Sequence, residues 1–229
     1  MTRGTGRFRK MLVSVGCASL AGAAVFAVMA LPEPAVRLAG PVEANMDRSG
    51  VTHPVTAVLL NFRGYDTLLE IAVLLLALLG VAAAGGSEKI GLRRLPSAPH
   101  AFLQSLTRLM APLMVLAAGY LLWAGSHRPG GAFQAAAVLA AGIVLLFLAG
   151  LLPERLQSDR LLRVGMVAGF LVFLAVAAFP LAGGALLQYP VPLAGALILL
   201  IESGLTISLA LILSGLFLRL PDEFEEEEE

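Results

Sequence analysis

Long, nearly uncharged apolar runs decide what this chain can become. Six stretches, residues 11–31, 68–84, 102–123, 132–152, 161–179 and 193–218, are each roughly long enough to cross a hydrocarbon core of about 30 Å as a helix. Lipid offers no partner to backbone N–H and C=O groups, so each run must satisfy its own, which a helix does and a lone strand does not. Only 14% of residues are charged, against about 25% in soluble domains, which leaves too little polar surface to cover a water-exposed fold. The expected fold class is an all-α integral membrane protein with about six transmembrane helices.

The charges sum to zero but are sorted along the chain. Arg3, Arg7, Arg9 and Lys10 precede the first run, and Glu225–Glu229 form an acidic end. With the N-terminus inside, the inner segments also hold Lys89, Arg93, Arg94, Arg108, Arg155, Arg160, Arg163 and Arg219, whereas the outer ones hold only Arg37, Arg48, Arg63 and Arg128. This bias predicts both termini on the cytoplasmic side and no nucleic-acid partner. The first run is longer than the h-region of a signal peptide, and Pro32-Glu33-Pro34 follows it in place of a small-residue cleavage site, so it is expected to stay as a helix. Cys17 is the only cysteine; it supports neither a disulfide framework nor a thiolate cluster and is read as a small apolar residue.

Gly85–His100, with Gly85-Gly86, Pro96 and Pro99, reads as a cytoplasmic linker dividing the chain at about residue 100. Two spans and a polar outer loop precede it; four spans with short connections follow, which makes sequential neighbours antiparallel. Between the third and fourth spans lies Gly125-Ser126-His127-Arg128-Pro129-Gly130-Gly131, a Pro- and Gly-rich reversal. Gly165 and Gly169 in the fifth span are read as a close-packing face.

Ionisable groups at membrane depth are the natural candidates for chemistry. Glu202 lies well inside the last span, with Ser203, Gly204 and Thr206 beside it. Two readings stay open: a carboxylate accessible to protons or cations, or a protonated acid hydrogen-bonded between helices. Glu70 also has two readings. Thr67 and Glu70 have capping-box spacing at the outer end of the second span, and the same acid also has the position for a transport role. Arg63 and Asp66 beside them are placed to form an ion pair. His53, His100 and His127 have no metal-ligand spacing, and neither a nucleophile motif nor a phosphate-binding glycine loop appears. No metal, no cofactor and no enzymatic activity are expected. Lys10 and Lys89 both lie outside the spans. A single buried acid is too little for a proton relay across the bilayer.

Two motifs carry a family resemblance. Arg128-Pro129-Gly130-Gly131-Ala132-Phe133-Gln134, following Gly119-Tyr120-Leu121-Leu122, resembles the Pro-Gly-Gly-Gly-Phe-Gln signature of the MnhB family, the MrpB component of Mrp-type multisubunit cation/proton antiporters. The four-helix layout from about residue 101, and an acid followed closely by Gly in the last helix (Glu202, Gly204), are similar too. The stretch Asn61-Phe62-Arg63-Gly64-Tyr65-Asp66-Thr67-Leu68-Leu69-Glu70 resembles a different piece of that machinery, the C-terminal end of its large MrpA component. In related membrane-bound hydrogenases the corresponding stretch is a small separate protein. Departures are Ala132 for the third Gly, Ala135 for a Gly, Leu69 for the Gly before the acid, and Asn61 for an Asp.

The resemblance implies an accessory subunit of a Na⁺ or K⁺/H⁺ antiporter in a bacterial or archaeal cell membrane. It would contribute to assembly and to part of the cation path, with the other subunits, the lipid bilayer and the transported Na⁺ or K⁺ and H⁺ as partners. Residues 1–100 and 101–229 are then two fused modules. The alternatives are a membrane-arm subunit of an energy-converting hydrogenase or related redox complex, and a stand-alone small transporter or channel.

Overall fold

The computed structural model describes residues 3–31, 38–84, 101–153, 159–183 and 186–218. The predicted linker Gly85–His100, several of the inner-loop cations and the acidic end lie outside them.

Six long apolar helices form: α1 (Arg3–Met29), α2 (Gly64–Ala84), α3 (Ala101–Ala124), α4 (Ala132–Leu148), α5 (Asp159–Ala178) and α6 (Val191–Leu218). Five of them are long and apolar enough to cross a membrane. The sixth, α4, has 17 residues and spans about 25 Å, at the short end of what crosses a hydrocarbon core. The apolar run continues to Leu152, but Gly150 adopts φ +65° and stops the helix. Its amide bonds Phe147 O at 2.9 Å and the Leu151 amide bonds Leu146 O at 2.9 Å, the paired bonds of a Schellman termination.

By backbone contacts the chain divides into Met1–Pro41, which holds α1, and Val42–Glu229. In the second unit α6 is the central element, with Ile198, Ile201, Leu205, Leu209 and Ile212 fully buried along it. Helices α4 and α5 flank it, α3 packs on α4, and α2 lies against α5 and α6. Between helices in lipid, apolar burial gives little preference for one pairing over another; close van der Waals fit decides. At α5–α6 that fit comes from glycine. A Cβ on Gly169 would sit 2.5 Å from Gly204 O, and one on Gly204 would lie 3.3 Å from Val172 Cγ1. Ser208 adds a hydroxyl hydrogen bond to the Met166 carbonyl.

The polar stretch of residues 46–63, ahead of α2, is folded into short helical turns. Residues Pro54–Ala57 form a helical turn that runs into a wide π turn at Val58–Phe62, and α2 follows at once. Upstream, Gly50 takes φ +73° and presses on α6, where its Cβ would fall 2.5 Å from Ala194 Cβ. The Thr52 and His53 amides bond Ser126 O at 3.2 and 3.1 Å. Residues 49–57 are thus a strap tied to the start of α6 and to the reversal between α3 and α4.

Candidate functional site

The Gly-rich reversal folds tightly because three of its positions have no room for a side chain. The Gly131 amide returns to Leu121 O at 2.9 Å, on the last turn of α3. A Cβ on Gly130 would meet the same carbonyl at 2.5 Å, and one on Gly125 would lie 2.7 Å from Gly131 Cα. Gly131 itself, the residue that starts α4, has φ +110°, a region open to glycine and strained for other residues. Ala132 then enters as the first helical residue with no such demand. The Ala that departs from the family's third Gly therefore sits where a methyl is harmless.

Gly131 makes no side-chain cap for α4, and helix starts leave amides without partners. Glu202 of α6 supplies the cap from across the interface: its carboxylate accepts the Ala132 backbone N–H. Glu202 Oε1 lies close enough to Gly131 that a Cβ there would be 2.7 Å from it. The partial positive charge of the α4 N-terminus favours an anion at this point. Glu202 is 3% exposed, and its second oxygen, Oε2, is buried with no group among the described residues bonded to it. Ser203 and Thr206, singled out beside Glu202, do not reach the carboxylate. They donate to the backbone carbonyls of Leu199 and Glu202, each at 2.7 Å.

A cleft of about 410 Å³ opens at this carboxylate, and it gathers the two sequence motifs. Gly130, Gly131, Phe133 and Gln134 line it from the reversal and α4, Glu202 from α6, and Thr67 and Glu70 from α2. Thr56, on the strap, closes another side; its hydroxyl donates to Gly125 O. Sequence reading missed Thr56, because only the fold brings a residue ahead of α2 against a reversal some 70 positions away.

The capping-box reading of Thr67 and Glu70 is corrected. Helix α2 begins at Gly64, before Thr67, with Asp66 in its first turn. Thr67 is 3% exposed and donates to Leu59 O at 2.7 Å, so it bonds back into the π turn and not to its own helix start. Arg63 and Asp66 form the expected ion pair, exposed at the surface. Gly64 packs under Leu187, Pro129 is exposed, and Gly204 faces α5; none of these lines the cleft. Asn61 bonds Ser49 O at 2.9 Å through its amide, which holds the strap to the turn. Among the described residues no cluster of His, Cys, Asp and Glu suits a metal ion.

Residues 102–219, just over half of the chain, match the family described as the domain related to the MnhB subunit of Na⁺/H⁺ antiporter. A probable K⁺/H⁺ antiporter A/B subunit of Rhizobium meliloti (strain 1021) is 26% identical over 168 residues, covering 63% of this chain and 17% of the relative. Among solved structures, one chain of the Mrp complex from Dietzia sp. DQ12-45-1b superposes with a TM-score of 0.66 at 23% identity, covering all of this chain and 27% of the other. A chain of the membrane-bound sulfane sulfur reductase, an archaeal respiratory membrane complex, superposes with a TM-score of 0.69 at 24% identity, covering 93% of this chain and 97% of the other. At these identities the structural likeness shows the fold. The chain spans only 17% of the curated relative's length.

Proposed function

The chain belongs to the family of domains related to the MnhB subunit of Na⁺/H⁺ antiporters, and from that membership we propose that it serves as an accessory membrane part of a multisubunit Na⁺ or K⁺/H⁺ antiporter. In this reading it helps to hold the assembly together and lines a portion of the cation path. It performs no covalent chemistry of its own. The observation that carries the reading is the cleft, which joins the motifs of both halves around two carboxylates, Glu70 and Glu202. The chain combines two modules, residues 1–100 and 101–229, the second of which contains the matched domain.

The test is cation-driven collapse of a pH gradient in inverted membrane vesicles containing the whole assembly. Removing this chain should abolish the response and disrupt the assembly on a native gel; an unchanged response would end the reading. The Lys and Arg bias supports a topology with both termini on the cytoplasmic side. Cysteine at Arg128 in a Cys17→Ser background should therefore react with an impermeant maleimide applied outside intact cells.

A second reading has one specific support, the likeness to a chain of an archaeal respiratory complex over nearly its whole length. There the same helices would belong to the membrane arm of a redox assembly, whose electron-carrying groups reside in other chains. Co-purification separates the two: nickel–iron or iron–sulfur subunits in the isolated assembly would favour the redox complex.

A further inference from the structure

Helix α3 has two unlike sides. Toward α4 it is closely fitted: the Gln104 amide bonds Ala149 O at 3.2 Å, Met114 packs over Gly142, and Thr107 and Ala118 are buried. On the other side Phe102, Leu106, Leu109, Leu113, Leu116 and Tyr120 are all exposed, from 39% at Leu106 to 80% at Phe102. Their spacing alternates four and three residues, and Trp123 extends it. Lipid asks only that a helix face be apolar. A sustained repeat of about 3.5 residues is the pattern of a seam against a second helix. Beside it, at seven-residue intervals, lie Ser105, Pro112 and Gly119, all exposed, and a Cβ on Gly119 would have nothing within 4 Å. Small residues there let another backbone come close.

Arg108 also flanks this seam, exposed, seven residues and about 10 Å into the helix. No group among the described residues pairs with its guanidinium. Pro112, four positions on, has no N–H to give the Arg108 carbonyl. One level of an apolar face thus presents a positive charge with its N–H donors and a carbonyl without its helical donor. Both are costly in hydrocarbon.

We infer that this face of α3 docks a transmembrane helix of another subunit, one bearing an Asp or Glu opposite Arg108. The inference rests on the proposed reading of the chain as part of a multisubunit assembly and deepens it by naming a contact. Charge selects the occupant. Helix α1 carries only positive charges, Arg3, Arg7, Arg9 and Lys10, and the proposed topology brings them to the same membrane face as Arg108. A second copy docked through this face, about an axis along the membrane normal, sets Arg108 against Arg108 at one depth. A carboxylate on another subunit instead receives the guanidinium in paired N–H···O bonds. That pairing selects a helix where apolar contact alone does not, because lipid tails are as apolar as Leu. The two helices cross at about 20°, following the seam.

The test is site-specific photo-crosslinking in the intact membrane-bound assembly, with benzoylphenylalanine placed at Leu109 or Leu113. Irradiation should join this chain to one other subunit. Peptide mapping should place the bond on a transmembrane helix with an acid at the depth of Arg108. Arg108→Glu should cut both the adduct and the yield of intact assembly by roughly tenfold, while Arg108→Lys keeps most of each. Exchanging the mapped acid for Arg in the Arg108→Glu background should restore them, which a chain that merely misfolds would not allow. Adducts to lipid alone, to a second copy or to α1 would overturn the docking. So would a mapped helix without an acid, or an Arg108→Glu chain that assembles like wild type. Purification separates this contact from the reading beneath it. A chain that co-purifies with other subunits yet gives only lipid adducts sinks the α3 contact and leaves the assembly reading standing. A chain that purifies alone sinks both.

Discussion

Glu202 and Gly131, 71 residues apart, meet so closely that a single methyl on the glycine would sit 2.7 Å from the Glu202 carboxylate oxygen. The last helix thereby caps the fourth, and the tightest point of the Gly-rich reversal becomes the floor of the cleft. Gly131→Ala is expected to fail twice. It would force a side chain into φ +110°, at a cost of about 1–3 kcal/mol, and it would push Glu202 from the helix start. Thermal unfolding of the purified assembly should show a clear drop in Tm, and assembly yield should fall with it. A wild-type Tm would mean that the reversal relaxes freely.

The cap predicts an order among substitutions at Glu202. Gln retains an acceptor for the Ala132 amide, so its stability should stay near wild type while any ion exchange is lost. Leu removes the acceptor and leaves a buried amide unpaired, a loss of about 1–3 kcal/mol. Unfolding curves of the two variants separate the structural role from the ionic one, and equal destabilisation of both would argue against the cap.

Much of this was legible before the fold was known, for reasons that differ by residue. The apolar runs announced α1–α6 because lipid leaves backbone no other arrangement. Glu202 stood out because an acid at that depth is rare. The join between them was hidden. Nothing in the spacing of Glu202 tells that it faces the start of α4, since both sides of α6 are apolar and give no preferred direction. Thr67 misled because Thr-x-x-Glu spacing fits a capping box, whereas the π turn at Val58–Phe62 had already begun the helical path. Gly150 marked an end to α4 that the apolar residues after it concealed. The strap was unreadable because its tertiary ties to Ser126 and Gly125 are largely to backbone oxygens, which no side-chain pattern encodes.

The two glycines of the fifth span are not equivalent. A Cβ on Gly169 meets backbone, Gly204 O at 2.5 Å, together with Ser208 Cβ at 2.5 Å. A Cβ on Gly165 meets only Leu211 Cδ1, the far end of a side chain that can turn away. Gly169→Ala should therefore separate α5 from α6 and destabilise by about 1–3 kcal/mol, while Gly165→Ala should be nearly silent. Denaturation of the pair side by side decides it, and equal effects would contradict this packing.

Thr67 and Glu70 also part company. Thr67→Val loses the buried bond to Leu59 O and should cost about 1 kcal/mol, with Thr67→Ser close to wild type. Glu70 is exposed in the second turn of α2, so Glu70→Gln should change stability by less than about 0.5 kcal/mol. A capping box would give the opposite result for Glu70, with a measurable loss of stability in thermal unfolding.

Tyr189, in the segment just before α6, gives a pH dependence with a definite sign. Its hydroxyl is buried with no group among the described residues bonded to it, and burial pushes its pKa up from 10.0 to about 12. Below about pH 10 the phenol is protonated in both folded and unfolded chains and contributes no slope. Between about pH 10 and 12 the unfolded chain releases this proton while the folded one keeps it. The unfolded state then binds fewer protons, so stability falls as pH rises through that window. Tyr189→Phe removes both the titration and the unpaired hydroxyl. Its stability at neutral pH should equal or slightly exceed wild type, because deleting an unsatisfied buried polar group relieves a desolvation cost. Its unfolding midpoint should also decline less steeply above pH 10. A variant less stable at neutral pH would reveal a hydrogen bond to this hydroxyl within the whole assembly and would remove the basis for the alkaline slope.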